Sequence, residues 1–242
     1  MTVFIGGNSH CGALRQGLAR VAGADKILTV HAFGSNTMEA LPFSVIRNGR
    51  VEFVADYHVT NLQAFSGKSN FDPADVWGIC AGTHYNRVLL APQWRGPAAP
   101  SAIAGPKQRP ISAAMLAAIL AADQVHVCKF LSQMKAAGVP VFAVSCAPVR
   151  RDGYPTERGV PIGVVHAIAR RAQDYFLGFL TAQEIAFVAP PPETIDAEGF
   201  LKPEFCQMII EELGTPDLIH ANPDYGALMV RRILDHVESM GG

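Results

Sequence analysis

Along the chain, short apolar runs that end in turn residues alternate with longer stretches of helical periodicity. Val3 to Ile5 reads as a first strand and residues 12–22 as the helix that follows it. Residues 27–32 give a second strand, and Val51 to Tyr57, behind the turn pair Asn48-Gly49, give another. DVWGICA, residues 75–81, is short and apolar enough for a buried strand. Residues 92–110 carry five prolines and two glycines, which predicts a long surface loop or flap, with Trp94 and Arg95 near its start as substrate-selecting side chains. An Ala-, Leu- and Met-rich helix over 111–137 ends at Gly138, a C-cap before a strand at 139–144. A helix over 162–181, a strand over 185–188 closed by three prolines, and a helix over 227–240 complete the pattern. Strands joined by helices require right-handed crossovers, hence a parallel sheet covered on both faces. The expectation is an α/β fold, a three-layer α/β/α sandwich with a central parallel sheet, forming one domain over residues 1–242.

Composition narrows the function classes. A formal net charge of −1 and 49% hydrophobic residues suit a large apolar core and give no general attraction to nucleic acid or an anionic membrane. Basic pairs such as Arg150-Arg151 and Arg170-Arg171 read as solvated faces. The five cysteines are widely spaced, with no CxxC and no Cys/His ligand spacing, so reduced, mostly buried thiols, a cytoplasmic location and no structural zinc are expected. A strand starting at Val3 leaves no room for a signal sequence, and no later run reads as long enough to span a bilayer.

The chemistry concentrates at two corners. GGNSHCG, residues 6–12, follows the first strand, where ligands bind in parallel α/β sheets. Its glycine spacing fits neither GxGxxG nor a Walker A loop. Two readings of Ser9 stay open on this stretch alone: a helix cap, or a nucleophile on a strand-to-helix turn whose backbone N–H faces an oxyanion. His10 reads either as a pocket lining or as a solvent-facing first-turn residue. Near the other end, TPDLIHANPDYG places Asp217 three residues before His220, a spacing at which a carboxylate can fix an imidazole's tautomer.

With Ser9 in GNSH and Asp217/His220 in DLIH, the sequence resembles the SGNH (GDSL-type) hydrolase superfamily across nearly its whole length. The resemblance implies a flavodoxin-like fold, a catalytic triad of Ser9, Asp217 and His220, and an acyl-serine mechanism needing no metal or organic cofactor. It also implies an oxyanion hole: the Ser9 N–H, a glycine after the second main strand sought in NLQAFSG as Gly67, and a side-chain donor from the GxND block. That block lies over GTHYN, so His84 takes the asparagine's place, with Asn86 two residues on as the other candidate. Asn8 stands where the family commonly has aspartate. HANPDYG resembles an HxNxxYG run of bacterial members that act on carbohydrate acyl groups, giving Asn222 and Tyr225 either functional or turn and packing roles. The implied activity is hydrolysis of a small-molecule or carbohydrate acyl ester, short-chain or O-acetyl. O-acyl transfer to a carbohydrate and a non-catalytic ligand-binding module are the alternatives, and oligomeric state is left open.

Overall fold

The computed structural model describes residues 3–95, 98–210 and 214–241. Its elements in chain order are β1 (Val3–Gly7), α1 (Cys11–Leu18), β2 (Leu28–Ala32), β3 (Ser44–Arg47), β4 (Arg50–Phe53), α2 (Asp56–Ser66), β5 (Val76–Cys80) and α3 (Asn86–Leu89). Then come β6 (Ala98–Pro100), β7 (Arg109–Ile111), α4 (Ala113–Ala136), β8 (Val141–Val144), α5 (Tyr154–Glu157), α6 (Ile162–Ala182), β9 (Phe187–Val188), β10 (Ile209–Ile210), β11 (Thr215–Pro216) and α7 (Pro223–Gly241).

Five strands form one parallel sheet in the order β2-β1-β5-β8-β9. Side chains alternate across β1. Val3 and Ile5 face α1 and α7, packing with Leu14, Met229, Val230 and Ile233, while Phe4 faces the opposite layer of α2, α4 and α6 with Trp77, Leu62, Phe130, Leu131 and Phe176. The three-layer α/β/α sandwich expected from the sequence is thus the observed architecture. The chain goes from β1 to β2 on one side and later to β5 on the other. The crevice at the carboxyl ends of β1 and β5 is therefore the topological switch point, where this class of sheet binds ligands.

Local chemistry accounts for several boundaries. Ser112 caps α4 by accepting from the Met115 N–H at 3.2 Å, and Gly138, at φ +73°, closes that helix as anticipated. Four expectations need correction. Residues 51–57 are not one strand of the main sheet: β4 pairs with β3 around the Asn48-Gly49 turn and bridges Phe71 through Val51, and α2 has begun by Asp56. Residues 92–110 are only partly loop, since β6 pairs with β7 and Trp94 is sealed in a cluster with Tyr85, Leu89, Leu120 and Val165; of this stretch, residues 96–97 fall outside the described set. Arg150, expected to be solvated, is buried. Finally, α4 is by length and composition apolar enough to cross a bilayer, contrary to the expectation of no such run. In this fold its face with Leu116, Leu120, Val127, Phe130, Leu131 and Met134 is buried inside the protein.

Candidate active site

The turn after β1 is shaped by close backbone approach. A Cβ on Gly7 would fall 2.0 Å from the Cys80 carbonyl oxygen of β5, and one on Gly6 would strike the Phe33 ring. The Asn8 N–H donates to that same Cys80 carbonyl at 3.1 Å, and the Cys11 and Gly12 N–H groups turn back to the carbonyls of Asn8 and Ser9. Ser9 is consequently half-buried at the mouth of the crevice, and its hydroxyl does not cap α1, whose N-terminal residue His10 makes no side-chain cap.

The Ser9 hydroxyl instead meets the far end of the chain. Its Oγ lies 2.9 Å from His220 Nε2, and His220 Nδ1 lies 2.9 Å from Asp217 Oδ2. An ionised carboxylate can only accept, so Nδ1 carries the imidazole proton, Nε2 presents its lone pair, and the serine O–H donates to it. The DxxH spacing works because Asp217 Oδ1 also accepts the N–H groups of Ile219 and His220, both at 2.9 Å, folding the loop around the carboxylate. Burial raises the Asp217 carboxyl, but the bonds from the His220 ring and from the two backbone N–H groups outweigh it and hold it at about 2.

Supports for this loop come from elsewhere. The Cys206 and Gln207 segment clamps it: Gln207 N–H donates to His220 O at 2.9 Å, and Asp217 N–H donates to Met208 O at 3.1 Å. Arg150 reaches across with Nη1 to Asp217 O at 2.6 Å and Gln207 O at 2.8 Å, while Asp152 binds its other edge. Asn222 caps α7 by accepting from the N–H groups of Asp224 and Tyr225, and Tyr225 is sealed in the core with its hydroxyl 3.5 Å from Cys146 O. Both take the turn and packing roles.

Opposite His220, His10 and His84 form a buried pair, His10 Nε2 being 2.6 Å from His84 Nδ1. The His10 ring also lies 5.2 Å from the His220 ring, centroid to centroid. Burial first, then the neighbouring Arg87 and His220, lower His84 to about 3; burial and the other two imidazoles hold His10 well below its ordinary value. Both rings are therefore neutral at ordinary pH. Asn86, the other oxyanion candidate, begins α3 and lines, with His10 and His84, a cavity of about 10 Å³ that Leu218 and Ile219 close.

Gly67 is not brought to this site. It ends α2 at φ +73° with its N–H bonded to Gln63 O at 2.8 Å, on the connection that feeds the start of β5. The glycine beyond the second main strand is Gly34: Ala32 pairs with Gly7, the Phe33 N–H donates to Gly7 O at 2.7 Å, and Gly34 follows. Neither the Ser9 nor the Gly34 N–H has a hydrogen-bond acceptor among the described residues.

Below the GNSH turn lies Glu39, fully buried and unsuspected in the sequence. It accepts from Asn8 Nδ2 at 2.8 Å and from the Gly82 N–H at 3.4 Å, and it sits 3.5 Å from Arg87 Nη1, which Asp123 also holds. Burial raises its carboxyl, with Arg87, Asn8 and Gly82 offsetting part of the rise. A larger cavity of about 600 Å³ opens beside the small one, sharing the walls Thr83, Pro148 and Val149 and adding Tyr85, His166, Arg170 and Phe200. No described residue of 92–110 lines either cavity, so the substrate-selecting role expected for Trp94 finds no support there. Among the described residues, no group of three or more His, Cys, Asp or Glu side chains is placed to hold a metal ion.

No protein-family model and no curated protein matches the chain. Among solved structures, a candidate acylhydrolase from Bacteroides fragilis superposes with a TM-score of 0.54 at 9% identity, covering 99% of this chain and 87% of its own. A GDSL-like lipase from Bacteroides thetaiotaomicron superposes with a TM-score of 0.50 at 12% identity, covering 99% and 88% respectively. At such identities the likeness is one of fold, the α/β fold of the GDSL-type hydrolases.

Proposed function

Starting from the SGNH (GDSL-type) hydrolase fold, we propose that this protein is a serine esterase or acyl hydrolase that cleaves an acyl ester through an acyl-serine intermediate. The observation that carries the reading is the unbroken hydrogen-bonded chain from Ser9 Oγ through His220 to Asp217. His220 Nε2 takes the serine proton as Oγ attacks the acyl carbonyl, and Asp217 stabilises the imidazolium that results. The N–H groups of Ser9 and Gly34, with a side chain on the far wall, receive the developing oxyanion. Collapse expels the alkoxide, which takes the proton from His220. Water, deprotonated by the same nitrogen, then attacks the acyl-serine and releases the acid.

The cavity of about 600 Å³ lies within the usual range for small-molecule sites, but neither Ser9 nor His220 lines it, so the reading rests on the triad geometry and not on that cavity. A second reading, in which a sugar hydroxyl replaces water as the acyl acceptor, uses the same Ser9–His220–Asp217 chain. Adding a sugar acceptor to the assay separates the two, because a transferase forms new ester at the expense of free acid.

A fluorophosphonate probe is expected to label Ser9. Ser9→Ala and His220→Ala should each lower kcat on a short-chain aryl ester by roughly 10⁴-fold or more. Protonated His220 cannot accept the serine proton, so kcat/KM must fall as pH drops. A folded protein with an unlabelled Ser9, or turnover that does not fall as pH drops, would count against the assignment.

A further inference from the structure

We propose that His10 is a positioning residue that fixes the tautomer of His84, so that His84 presents one Nε2–H donor where the resembled family has an asparagine amide. The inference rests on the esterase reading for its consequence, but not for its geometry. The 2.6 Å contact between His10 Nε2 and His84 Nδ1 admits one proton. If His84 held it, the proton of neutral His10 would sit on Nδ1, which is sealed from solvent with no partner. If His10 holds it, that Nδ1 is only an unused lone pair, and the proton of His84 moves to Nε2. A buried orphan donor is the rarer and costlier arrangement, so the second assignment wins. His84 Nε2 makes no hydrogen bond among the described residues and is not among the enclosed unpaired atoms, so it is left open to a ligand or solvent.

The surrounding charges keep the arrangement fixed. Burial, the Arg87 guanidinium and His220 each disfavour an imidazolium at His84, and the His10 ring packs 4.4 Å from it, centroid to centroid. A neutral imidazole has one donor, and only a tautomer locked from behind makes that donor available at every turnover. Nothing in the pair takes up or releases a proton during catalysis, which leaves His220 as the proton carrier.

Two measurements test this on the intact protein. Long-range ¹H–¹⁵N spectra of the histidine-labelled protein at neutral pH should show His84 protonated at Nε2 and bare at Nδ1. An Nδ1–H or cationic His84 overturns the proposal, whether or not the protein turns over an ester. On an aryl ester, His10→Ala should lower kcat about 10- to 100-fold, with KM changed less than about 2-fold. His10→Gln, whose amide can still donate, should recover at least half of that loss on a logarithmic scale. With His84→Asn already present, the amide needs no tautomer, and His10→Ala should cost less than about 3-fold. An equal cost in both backgrounds would mean that His10 only packs, and would overturn the positioning role. Loss of Ser9 labelling in the wild-type protein would remove the esterase reading while the spectra still decided the tautomer.

Discussion

Asn8, where the resembled family commonly has aspartate, sits against the buried acid Glu39. The Asn8 amide spans two demands at once, donating to Glu39 and accepting the His10 N–H at 3.0 Å. A carboxylate at position 8 would keep the second contact and set two acids against each other at the first. Asn8→Asp should therefore fold with one extra proton shared by the pair, whose folded pKa lies above its unfolded value. Stability relative to the parent is then little changed at about pH 4, falls as pH rises, and is lower by about 2–4 kcal/mol at pH 8. Thermal melts of both proteins at the two pH values check the sign; a deficit that shrank with rising pH would contradict it. At this scale Asp217 and His220 were visible because their spacing reflects local turn geometry, and Ser9 became visible only through the resemblance that GNSH and DLIH carry together. Glu39 stayed hidden in NTMEALPF, because a lone acid becomes informative only when burial and an arginine from another segment meet it.

Among the elements, α1 and α7 decide whether the two halves of the site meet. Ser9 precedes α1 and His220 precedes α7, and the helices cross so closely that a Cβ on Gly226 would lie 1.8 Å from the Ala13 carbonyl oxygen. Gly17 faces the same crossing from the other side. Gly226→Ala must push the helices apart, at a cost of about 1–3 kcal/mol, and lower the melting temperature by roughly 3–10 °C. The same shift moves His220 relative to Ser9, so kcat should fall by at least about 10-fold. An alanine variant with parental melting and turnover would show that the crossing does not set the site. The strands of the main sheet and the long helices were legible because their periodicity is strong. α2 was not: its buried contribution is Leu62, and the alternating VEFVADY before it carries the strand pattern past its true end at Phe53. Gly67, sought in NLQAFSG by resemblance, ends this helix instead.

For the whole molecule, strand order turns local corners into a common crevice. β1 and β5 are adjacent although α2 and the β3–β4 hairpin separate them in the chain, which brings the GNSH turn and the GTHYN turn face to face. Sequence comparison could suggest that adjacency; only the sheet order explains why both turns leave toward one crevice while Gly67 ends elsewhere. Fold class was readable because burial of apolar runs is a property of composition and period. The pairing of His10 with His84 was not, since two histidines 74 positions apart announce nothing until the strands beneath them are neighbours.

Ser9 and His220 are 211 positions apart, so their hydrogen bond belongs to a very long-range closure. Such closures bear the largest chain-entropy cost and slow folding. Trp77 and Trp94 are buried in clusters other than the one shared by α1 and α7, and their fluorescence reports earlier or concurrent burial. On refolding from denaturant, reactivity of Ser9 toward a fluorophosphonate should return no sooner than the tryptophan signal, and reactivity that led it would refute this order. Nucleophilicity in this chain is thus a kinetic marker for the joining of its two ends.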